Sequence, residues 1–120
     1  MKTPKPILER RRSLRVSEEL PFKIGHDGFE TLAKTINISQ HGALCLIDKN
    51  IPLMTQLAVA LTLPGSGVRG KTLRMKGVVV RREKDLPPSS RFFIAIYFSQ
   101  IKSEDQAVLR RFVENRAIQD

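Results

Sequence analysis

Lys71-Thr72-Leu73-Arg74-Met75-Lys76-Gly77-Val78-Val79-Val80-Arg81-Arg82 is the stretch that decides the fold. Leu73 and Met75 alternate with Thr72, Arg74 and Lys76, the period of a strand with one buried face. Val78-Val79-Val80 continues it with the β-branched residues that a pleated surface accommodates well. The segment is long for one strand. Gly77 in its interior predicts a bulge or bend of the kind by which a strand turns a barrel corner.

The flanking segments read the same way. Upstream, Leu57, Val59, Leu61 and Leu63 alternate along Gln56 to Leu63, and Pro64-Gly65-Ser66-Gly67 is the loop between the two strands. Downstream, Leu86-Pro87-Pro88-Ser89-Ser90 is another loop and Phe92 to Phe98 a further strand. Nearer the start, Leu20 to Ile24 and Phe29 to Ile36 form a hairpin whose turn uses Asp27-Gly28. After a second turn at Asn37 to Gly42, Ala43-Leu44-Cys45-Leu46-Ile47 is a near-continuous apolar run suited to a buried strand. Cys45 there reads as a small interior hydrophobe.

The period changes after residue 102. Ser103-Glu104-Asp105-Gln106 fits a capping box, and Val108, Leu109, Phe112 and Val113 line one face of a helix over about 103–116. Arg110, Arg111, Asn115 and Arg116 fall elsewhere on it. Six strands joined by hairpin turns, with one late helix, predict a mainly β fold: a small six-stranded antiparallel barrel. The expected layout is a flexible basic arm over 1–19 and a barrel with its helix over 20–116.

Composition narrows the function. The chain has 120 residues and a net charge of +9, which points to an anionic partner. Lys2, Lys5, Arg10, Arg11, Arg12 and Arg15 face only Glu9 in the first sixteen residues, so more than half the excess is local. That favours one anion site over a generally basic surface. A single cysteine excludes an internal disulfide, and two histidines make a poor zinc site. No apolar run approaches membrane-spanning length, so a cytoplasmic location without membrane insertion is expected.

Two motifs carry chemistry. Arg11 and Arg15, four residues apart, can grip phosphate oxygens or the O6/N7 edge of a guanine, and can stack on a purine face. With twelve arginines in 120 residues, one such pair is about what chance supplies. Asn37-x-Ser39-x-x-Gly42 is rarer, expected in about one chain in twenty of this length. Asn37 and Ser39 can hold the amides of a turn or address a base edge. Gly42 can take positive φ or admit a ligand close to the backbone. Taken alone, the first motif is a solvated basic tail and the second an ordinary Asx or Ser turn.

In this order, and ahead of this strand pattern, the two motifs resemble the PilZ domain. That family has an Arg-x-x-x-Arg arm, then Asp/Asn-x-Ser-x-x-Gly at a strand edge, and binds the bacterial second messenger cyclic di-GMP. Glu9 to Val16 is similar to the family's arm, and Leu109-Arg110-Arg111-Phe112-Val113 to the closing helix of some members. The resemblance implies that Arg11 and Arg15 clamp guanine and phosphate. It implies that Asn37 and Ser39 bond a guanine edge and that Gly42 permits the approach. Arg10, just before the clamp, resembles members that take a stacked cyclic di-GMP dimer. Arg81 falls near where some members place a stacking side chain. Ala95 departs from the glycine the family often has in its last strand.

The implied function is a non-enzymatic cyclic di-GMP receptor that orders its arginine-rich arm on the ligand and passes the signal to an unidentified protein partner. No cofactor is implied beyond that ligand. Two other readings compete. One is an interaction adaptor of the same fold that does not sense nucleotide. The other is a general RNA or DNA binder, against which stands the supply of exposed rings: one tyrosine and no tryptophan. His26 and His41 sit in turns with no nucleophile or carboxylate pair at an informative spacing, so no catalytic constellation is expected.

Overall fold

A computed structural model describes residues 14–65 and 70–119. Arg10, Arg11, Arg12 and the Ser66-Gly67 part of the predicted loop lie outside the described residues. The elements are β1 (Pro21–His26), β2 (Phe29–Ile38), β3 (Gly42–Ile47), β4 (Gln56–Leu63), β5 (Lys71–Lys84), β6 (Phe92–Gln100) and α1 (Ser103–Gln119). The strands close into one antiparallel barrel in the order β1-β2-β3-β6-β5-β4.

Asp27 and Gly28 have φ of 52° and 87°, and His26 pairs with Phe29 across them. Two positive φ values in a two-residue loop match the right-handed twist of the flanking strands. β1 accordingly runs to His26, two residues past its predicted end. Gly77 also behaves as its position in the sequence implies. The β5–β6 register shifts between Lys76 and Gly77 and again between Val79 and Arg81. A Cβ on Gly77 would lie 2.6 Å from Ile96 Cγ2, so glycine lets the strand bend inward there. β5 pairs with β4 through its first half and with β6 through its second, overlapping at Lys76–Val78. One strand thus turns the corner between two walls.

The inner face of every strand feeds one core, with Ile24, Ile38, Cys45, Leu61, Leu73 and Ile94 fully buried. Burial pushes the Cys45 thiol up from 9.0 to about 12, because a thiolate there would be stripped of water. α1 adds Leu109 and Val113 to the same cluster, with Val108, Phe112 and Ala117 packed beside them. Each fully buried Leu or Val is worth about 1.5–3 kcal/mol. The pairing places the ends of β2, β4 and β6 and the starts of β1, β3 and β5 at one end of the barrel. The helix follows β6 from that end.

Four expectations need correction. β3 and β4 are not a hairpin: β3 pairs with β6 and β4 with β1, and the 48–55 connection buries Ile51. Leu44 and Leu46 are only half-buried, because the apolar run Ala43 to Ile47 has one face outside the barrel. The Ser103 hydroxyl makes no cap among the described residues; the Gln106 amide donates to the Lys102 carbonyl at 2.8 Å. Arg116 is half-buried, with its Nε 3.3 Å from Glu18 Oε2 and its guanidinium 4.9 Å from the Phe112 ring centroid.

Candidate functional site

Between β2 and β3 the chain turns through Ser39, Gln40 and His41, and Ser39 is only 1% exposed. Its amide donates to the Gly42 carbonyl at 2.9 Å. Its hydroxyl donates to the same carbonyl at 3.3 Å and accepts from the amides of His41 and Gly42, each at 3.2 Å. One donor and two acceptor sites are the whole capacity of a hydroxyl, and the turn uses all of them. The Asn-x-Ser-x-x-Gly spacing therefore has a local structural reason. Gly42 has another. It does not take positive φ; a Cβ there would lie 2.4 Å from the Ile96 carbonyl oxygen of β6. The absent side chain lets β3 and β6 approach, and the His41 carbonyl then accepts from the Phe98 amide at 2.8 Å.

The described part of the arm docks on this turn. Val16 is 4% exposed and forms an isolated antiparallel bridge with Ile38, with both amide–carbonyl bonds at 2.9 Å. With Val16 pointing inward, its neighbour Arg15 lies outside, where Nη1 donates to Asn37 Oδ1 at 3.1 Å. Arg15 and Asn37, 22 residues apart, thus meet at the barrel surface. Asn37 uses its oxygen on Arg15 and keeps its two amide N–H donors.

Arg81 completes an outer row. Asn37 pairs with Leu44, Leu44 with Ala95, and Ala95 with Arg81, so the row crosses β2, β3, β6 and β5. Three strand spacings separate Asn37 from Arg81, a path of about 14 Å along the curved outer surface of the barrel. Between them lies a depression of about 250 Å³ lined by Leu44, Arg81, Glu83, Phe93 and Ala95. Leu44, Phe93 and Ala95 give it an apolar floor, Arg81 and Glu83 bring one cation and one carboxylate to it, and Arg15 and Asn37 lie at the far end of the row. Such a surface can hold a flat aromatic group from below while guanidiniums and an amide address its edge and its charge.

Two supports escaped the reading of the sequence. Thr35 is buried; its hydroxyl donates to the Glu18 carbonyl and accepts from the Leu20 amide, stapling the segment that carries Arg15. Its position on the inward period of β2 was the available signal. Glu18 in turn pairs with Arg116 of α1, a contact between remote segments that no spacing announces. His26 packs edge-on against Phe29 at 5.6 Å. Among the described residues no cluster of His, Cys, Asp or Glu could hold a metal ion. No helix is long and apolar enough to cross a membrane among them either.

The class is that of a closed six-stranded antiparallel β-module, with an arginine-bearing segment bridged to an Asn-x-Ser-x-x-Gly turn. The PilZ domain family model matches residues 9–115, and the chain belongs to that family. No curated protein matches it. Among solved structures, the Bacillus subtilis inhibitor of motility MotI/DgrA aligns with a TM-score of 0.82 and 22% identity over 92% of this chain and 53% of that one. The PilZ domain of YcgR from Escherichia coli, solved with c-di-GMP, gives 0.68 and 11% over 92% and 93%. MrkH, described as a c-di-GMP-dependent transcription regulatory factor, gives 0.59 and 16% over 92% and 50%. The chain spans about half the length of the MotI structure it matches. At these identities the likeness is one of fold.

Proposed function

We propose that the protein is a non-enzymatic receptor for cyclic di-GMP and that its arginine arm and its Asn37–Gly42 turn are the two halves of the site. The observation that carries this reading is the 3.1 Å contact from Arg15 to Asn37, which joins the two halves in space. Arg11 and Arg15 clamp guanine and phosphate. Asn37 donates its remaining N–H groups to the O6/N7 edge of guanine. Ser39 acts by holding the turn, and Gly42 by letting β3 lie close to β6. Arg81 stacks on a base from the far side of the depression, and Arg10 recruits a second, stacked cyclic di-GMP.

Ligand binding orders the arm that carries Arg10, Arg11 and Arg12, since a doubly charged ligand neutralises arginines that repel one another. The newly fixed arm is then a surface that a partner protein reads. The YcgR PilZ domain solved with c-di-GMP supports the ligand class. Calorimetry tests the proposal: cyclic di-GMP should bind saturably, and Arg15→Ala should weaken binding by about 2–3 kcal/mol, roughly 30–150-fold. Binding that survives unchanged in both Arg11→Ala and Arg15→Ala would sink the site assignment. No binding to the wild-type chain would leave the adaptor that does not sense nucleotide.

A further inference from the structure

A second concavity, a groove of about 810 Å³, runs along the outer face of β5 and β6 to the start of α1. His41, Arg74, Lys76 and Lys102 line it, and no Asp or Glu does. None of these four side chains has an ion-pair or side-chain hydrogen-bond partner among the described residues, whereas Lys71, on the other face of β5, pairs with Asp105 at 4.0 Å. Arg74 and Lys76 are both exposed and lie two residues apart on β5, about 7 Å along the strand. Between the cations the groove offers apolar surface from Ala58 and the half-buried Ile101, and Tyr97 stands 51% exposed at its side, while Met75 and Phe98 beneath belong to the core.

We infer that this groove docks an acidic, amphipathic segment of a partner protein. The cations are spread along the groove, which suits an extended polyanion better than one compact phosphate. β6 ends opposite Lys76, so Lys71–Met75 of β5 pair with β4 alone and leave a short strand edge beside the groove, while the charge that selects the occupant comes from side chains. Apolar surface and a tyrosine between like charges match a segment whose Leu or Phe residues alternate with Asp or Glu. A single-stranded nucleic acid fits less well, because successive bases need a row of rings and the groove exposes only Tyr97. The inference does not rest on the cyclic di-GMP reading: the groove shares with that site only His41 of the Asn37–Gly42 turn, and Arg74, Lys76 and Lys102 lie outside it.

Fluorescence anisotropy with a labelled peptide alternating Glu and Asp with Leu and Phe tests it on the full chain. The peptide should bind saturably, and less tightly as salt rises. R74E/K76E should weaken it at least about tenfold and Tyr97→Ser several-fold, while a peptide with Lys in place of the acids should not bind. Lys102→Glu, outside the strands, repeats the test should the double reversal disturb the barrel. Wild-type affinity for the acidic peptide in R74E/K76E and Lys102→Glu overturns the inference. So does an oligothymidylate that displaces the peptide and is itself lost in those variants, which would make the groove a nucleic-acid surface. Calorimetry with cyclic di-GMP on R74E/K76E keeps the two sites apart: its affinity should be unchanged.

Discussion

Ser39 and Asn37 are two residues apart and do different work. Replacing Ser39 with alanine strands the His41 and Gly42 amides in a buried turn, which should cost about 1–3 kcal/mol in urea denaturation. Asn37→Ala removes one exposed hydrogen bond, so stability should change by less than about 0.5 kcal/mol while cyclic di-GMP affinity falls. Gly42→Ala should be the costliest of the three, at about 3 kcal/mol, because its Cβ meets backbone in place of a movable side chain. Cys45 makes a pH-dependent prediction. Its folded value is raised, so its contribution is complete below pH 9 and is lost as pH rises toward about 12. Over that window the wild type should lose about 1.4 kcal/mol per pH unit more than Cys45→Ala. Equal slopes for the two proteins would contradict the burial.

At the scale of elements, the sequence made local geometry legible and left non-local geometry hidden. Asp27-Gly28 announced its turn because only certain residues tolerate two positive φ values. Gly77 announced its bulge because a glycine inside a strand rarely has another reason. The β1–β4 and β3–β6 pairings were not legible, because a period of two tells which face a residue occupies and nothing about the neighbouring strand. Ile51, in the connection between β3 and β4, is buried with no period around it to announce the fact. The helix ran on to Gln119 because Ala117 still packs on the core, and Arg116 turned inward to meet Glu18. At the site, the residue types of both motifs were readable. The division of labour between them was not, since the full engagement of the Ser39 hydroxyl depends on how the turn folds back on it. Val16→Ala tests the docking of the arm: removing a buried anchor should speed hydrogen exchange of the Ile38 amide, which donates to the Val16 carbonyl. Unchanged exchange there would mean that the bridge does not hold the arm.

For the molecule as a whole, the barrel places two charged surfaces around one turn. On one side are Arg15, Asn37 and the depression reaching Arg81; on the other is the groove of Arg74, Lys76 and Lys102. The turn itself is fixed between them, with Ser39 holding it from within and the His41 carbonyl tied to β6. The central claim is that arm and turn act on cyclic di-GMP as one site. A double-mutant cycle on Arg15→Ala and Asn37→Ala, read by calorimetric titration with cyclic di-GMP, tests it most directly. One site predicts that the two losses are not additive, with a coupling energy of about 1 kcal/mol or more. Losses that simply add, or titrations that show no heat of binding in the wild type, would contradict it.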